Sequence, residues 1–65
     1  AGTHPEYLDT WANTYAANGD FSKAVALQKQ AIASASAQNR QDILQILNDH
    51  LVKFMAGQAI TEQTP

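Results

Sequence analysis

Residues 7–32, YLDTWANTYAANGDFSKAVALQKQAI, read as two amphipathic helices folded back on each other across the turn Asn18-Gly19-Asp20. In the first helix Leu8, Trp11, Ala12 and Tyr15 recur at three- and four-residue spacing, which makes one apolar face. Gly19 suits the left-handed conformation that ends a helix, and Asp20 is a natural N-cap for the next one. The second helix, about Phe21 to Ser36, carries Phe21, Ala24, Val25, Ala31, Ile32 and Ala35 on one face. Ala24 and Ala31 lie two turns apart and leave room for a close approach of the first helix. Trp11 and Tyr15 are expected in the core, filling the space between. Converting either alanine to leucine is expected to overpack the hairpin, at a cost of about 1–3 kcal/mol.

Outward from this hairpin the signals are shorter. Thr3 and Glu6 fit a capping box at the start of the first helix, or Pro5 is its first residue, where a missing N–H costs nothing. Asn39 is expected to cap a third helix, with Asp42 three residues on, running to about Met55 and stopped by Gly57. Ile43, Leu44, Ile46, Leu47, Leu51, Phe54 and Met55 spread over about half of its circumference, wider than the ~100° stripe one neighbour requires. Residues 58–65 lose the pattern and are expected to form a flexible tail. The predicted fold is all-α: a lead-in over residues 1–4, a hairpin over 5–38, a third, capping helix over 39–57, and the tail.

Composition narrows the function. Sixty-five residues with a net charge of −2 make one domain, and a chain so short buries only roughly 60% of its unfolded surface. It has no cysteine to staple it. Lys23, Lys29, Arg40 and Lys53 are scattered, which argues against nucleic-acid binding. No apolar stretch approaches the roughly 20 residues that cross a bilayer. The chain shows no signal-peptide pattern and no initiator methionine, so a fragment or processed product is expected. No cysteine nucleophile, glycine-rich phosphate loop or His/carboxylate metal set is present, so neither an enzyme nor a cofactor is expected. Asp49 and His50 are adjacent, and their side chains point about 100° apart on a helix. His50 reads as a partly buried structural histidine, and His4 as a helix-start residue.

The hairpin resembles the tetratricopeptide repeat, whose pattern is W-x2-L-G-x2-Y, then A-x3-F, then P over about 34 residues. Leu8-x2-Trp11-Ala12-x2-Tyr15 matches the first block, with Leu8 in the tryptophan slot, Trp11 in the leucine slot and Ala12 for glycine. Gly19, Asp20 and Phe21 match the turn and the aromatic opening of the second helix, and Ala24 and Ala31 its two small positions. Gln28 stands where an aromatic is usual, and Ser36 where proline is frequent. LDTWA followed by ANGDFSKAV resembles the last repeat of longer bacterial arrays, and the third helix resembles the solvating helix that ends them. An unrelated three-helix bundle built on the same packing logic is the alternative.

The resemblance implies a protein–protein interaction module, a scaffold or adaptor that displays a groove without catalysis. By that resemblance a peptide would lie along the first helix, against Glu6, Asp9, Asn13, Ala16 and Ala17. Asn13 would hydrogen-bond the ligand, while Asp9 occupies the slot of the basic residue found in carboxylate-binding repeats, which favours a basic or neutral peptide. A solvated polar face is the plainer reading of the same positions. One repeat cannot bury its own faces, so self-association through Tyr7 and Ile46 is also expected, with a small self-assembling structural subunit as the alternative function.

Overall fold

The computed structural model of the protein describes residues 4–58. All regular structure among them is helical: α1, Pro5–Ala17; α2, Phe21–Ala37; and α3, Gln41–Met55. The fold is all-α, a helical hairpin plus a third helix. His4 is extended, as the residue before a proline tends to be, and Pro5 occupies the first helical position. The alternative capping box through Thr3, and the tail beyond Gln58, lie outside the described residues.

The three helices end in one way. At the close of α1, Gly19 has φ 84°, its N–H donates to Ala16 O, and the Asp20 N–H donates to Tyr15 O at 2.8 Å. This is a Schellman closure, in which a left-handed residue turns the chain so that the last carbonyls are satisfied. It recurs at Asn39 (φ 58°), where the Arg40 N–H reaches Ala35 O at 2.8 Å, and at Gly57 (φ 77°), where the Gln58 N–H reaches Lys53 O at 2.8 Å.

The residue after each of the first two closures opens the next helix. Asp20 (φ −94°, ψ 71°) and Arg40 (φ −87°, ψ 68°) share a backbone conformation, so both interhelical turns are the same three-residue device. Asp20 caps α2 through the Lys23 N–H, as expected. Asn39 does not cap α3 as its sequence position suggested. It ends α2, because asparagine is the residue after glycine that best tolerates a positive φ. Arg40 takes the N-cap position with no side-chain cap.

The hairpin interface is built from methyl groups. Ala12 and Ala16 of α1 meet Ala24 of α2, and Leu8 meets Ala31 and Ala35. Two apolar clusters result, and α3 completes both, with Leu47 in one and Phe54 in the other. Phe54, not Trp11 or Tyr15, fills the space beside the alanines. Trp11 is 60% exposed and Tyr15 37%, so their expected core placement is incorrect. Spacing of three and four admits two adjacent rows on a helix. The row Leu8-Ala12-Ala16 faces α2, while Tyr7-Trp11-Tyr15 lies about 100° round from it. On α3 only Leu47 and Phe54 are buried, with Ile43, Leu44 and Leu51 half-buried and Ile46, Val52 and Met55 exposed.

Candidate interaction face on the first helix

The side of α1 turned toward α3 is polar, and it is engaged within the molecule. Asp9 Oδ1 accepts a hydrogen bond from Gln28 Nε2 at 2.8 Å and lies 2.7 Å from His50 Nδ1. Gln28 is fully buried in the row Ala24-Gln28-Ala31-Ala35, and its amide also donates to the Leu47 carbonyl at 2.9 Å. Both neighbours of that amide nitrogen are acceptors, which fixes the amide orientation and leaves Oε1 buried without a hydrogen-bond donor. One carboxylate thus ties α1 to α2 and to α3. His50 is half-buried, as its position on the third helix implied, but its partner is Asp9, 41 residues away, and not the adjacent Asp49.

Glu6 is tied as well. Its Oε2 takes the Arg40 Nη2 at 3.0 Å, and the same guanidinium binds Asp42 through Nε and Nη2 at 3.2 Å each. Hydrogen bonding to its own backbone amide, then the Arg40 guanidinium, holds the Glu6 carboxyl below the usual range. For Asp42 the hydrogen bond from Arg40 is the foremost cause of the same downward displacement. Asp42, then Glu6, push Arg40 upward in return. All three side chains are well exposed to water, so the network orients the α2–α3 turn more than it stabilises the fold.

The five positions assigned to a ligand by resemblance therefore have different surroundings. Glu6 and Asp9 hold internal partners, Ala16 is buried in the hairpin core, Asn13 is half-buried and Ala17 is exposed. The two self-association positions, Tyr7 and Ile46, are both exposed, on different helices.

The free surface of α1 is the opposite flank. Tyr7, at 67% exposure, Trp11 and Tyr15 stand in one row at four-residue spacing. A shallow groove of about 360 Å³ runs beside the row, lined by Trp11, Thr14, Tyr15 and Asn18. The ends of the row are braced: the Tyr7 ring meets His4 edge-on at 5.3 Å, and Lys23 Nζ lies 5.5 Å from the centroid of Tyr15. The side chains of the row and those lining the groove are uncharged, with Lys23 standing beside them at Tyr15.

Two of these features escaped the sequence reading. Gln28 could have been noticed as a polar residue in register with three buried alanines, a position that demands partners. The exposure of Trp11 had no comparable signal, since apolar spacing does not say which of two rows meets the neighbour. No group of three metal-ligating side chains occurs among the described residues, and no helix is long and apolar enough to cross a membrane. No protein-family model, curated protein or solved structure matches the chain.

Proposed function

We propose that the protein is a tetratricopeptide-like interaction module that binds a protein or peptide through α1, by contact and without catalysis. The exposed row Tyr7-Trp11-Tyr15 supports this reading most directly. Tryptophan and tyrosine are enriched among residues that dominate binding energy, because they offer a large rigid apolar area with a polar edge. Three of them on one small helix, beside an uncharged groove, form such a patch. The polar flank of Glu6 and Asp9 then serves to tie α1 to Arg40, Gln28 and His50 and hold it rigid, which keeps the aromatic row in place.

Peptide display against the intact chain tests this. Selected peptides should lose at least tenfold in affinity with Trp11→Ala, or about 1.4 kcal/mol, and keep it with Ala17→Ser on another side of α1. Binders indifferent to Trp11 would remove the aromatic row from consideration.

A further inference from the structure

We infer that the partner of the aromatic row is the same row on a second copy of this chain, packed antiparallel about a two-fold axis through Trp11. The inference rests on the row being the binding surface and names what covers it. Three observations carry it. The row is symmetric in kind about its centre: an aromatic lies four residues before Trp11 and another four residues after it. An antiparallel two-fold places Trp11 on its own mate and each Tyr7 opposite the other copy's Tyr15.

The second observation is the position of the groove. Lined by Trp11, Thr14, Tyr15 and Asn18, it occupies the C-terminal half of α1. That is where the antiparallel register delivers the other copy's Tyr7, the most exposed aromatic of the row, already held edge-on by His4. Two identical knobs and two identical grooves are thus satisfied at once, each Tyr7 entering the groove beside the other copy's Tyr15. The third is charge. A two-fold contact sets a patch against itself, so a charged row would be self-repelling; the three side chains of this row are uncharged, and the cation beside them, Lys23, stands over Tyr15 at one end.

The area is adequate for a weak dimer. Exposures of 67%, 60% and 37% on side chains that cover about 150–250 Å² each leave about 250–400 Å² of aromatic surface per copy. Two copies supply about 500–800 Å², below the roughly 1,200 Å² of a stable specific interface and in the range of weak, transient contacts. On α3, Ile46 lies about 180° round the helix from Met55 and over 100° from Val52, so its exposed apolar residues form at most the two-residue patch Val52-Met55, smaller than the aromatic row.

Trp11 is the chain's single tryptophan, so its emission reports the contact directly. Sedimentation equilibrium from about 1 to 500 μM should show the mass doubling with a micromolar dissociation constant, and the emission should move to shorter wavelength in step. Tyr7→Glu and Tyr15→Glu should each give a monomer with unchanged helical circular dichroism. At low salt Tyr7→Lys/Tyr15→Glu should associate more tightly than Tyr7→Glu/Tyr15→Glu, since its opposite charges face each other in the antiparallel register. A wild-type chain that stays monomeric throughout, a dimer that survives both single variants, or equal association of the two double variants overturns the inference. If Trp11-dependent peptide binding persists in a monomeric wild type, the interaction reading stands and self-pairing alone is lost.

Discussion

Gln28 and Asp9 show how one polar pair is kept in an alanine-lined core. The Gln28 amide donates twice, to Asp9 and to the Leu47 carbonyl, and Asp9 also holds His50. The two partners are not equally replaceable. The Leu47 carbonyl already sits in the α3 ladder, so Gln28→Met would orphan little and would also remove the unpaired Oε1. Asp9→Ala strips the acceptor from a buried amide and from an imidazole together. Urea unfolding should therefore show Asp9→Ala costing about 1–3 kcal/mol and Gln28→Met less than that. The reverse order would mean that Asp9 is paired only incidentally. The double variant should cost less than the sum of the two, since both changes break one shared hydrogen bond.

At the level of elements, the device that repeats is the turn. Asn18-Gly19-Asp20 and Gln38-Asn39-Arg40 adopt one geometry, and the left-handed residue at the centre decides each. Asn39→Gly is expected to keep or slightly raise the melting temperature, while Asn39→Val, β-branched at φ 58°, should lower it. Equal melting of the two variants would show that the left-handed closure is not held. The Arg40 bridge across the same turn yields a pH prediction. Glu6 and Asp42 titrate below their usual range when folded, so whatever stability they lend is present above the unfolded carboxylate range and lost as pH falls through the lowered folded values. Arg40→Gln should raise both titrations by NMR, and Asp42 further than Glu6, because the first cause for Glu6 is its own backbone amide. The first turn was legible in the sequence because glycine and aspartate each have one strong local preference. The second was misread because asparagine serves equally at a helix start or in a left-handed stop. The alanine contacts at 24 and 31 were legible for a similar reason, since only small side chains allow close helices. Which aromatic filled the gap was not, because Phe54 reaches it from a helix that local spacing does not place.

Across the whole molecule, Phe54 is the long-range contact on which the fold most depends. It is fully buried against Ala12, Ala16 and Ala24, so a single side chain from α3 fills the turn end of the hairpin. A chain of 65 residues has a total stability of about 3–10 kcal/mol. Truncating a buried phenylalanine costs about 3–5 kcal/mol, a third or more of that total. The alanines around it cannot collapse into the vacancy, because the α1–α2 spacing is already set by methyl groups in contact. Phe54→Ala should then lower the melting temperature by more than about 10 °C, or leave a chain with little helical signal at 25 °C. The exposed Val52→Ala, two residues earlier on the same helix, should stay within about 0.5 kcal/mol of the parent and control for helix propensity. Similar melting of the two variants would show that α3 is an appendage and that the hairpin stands without it. A large difference makes α3 part of the single cooperative unit that holds the aromatic row of α1 rigid.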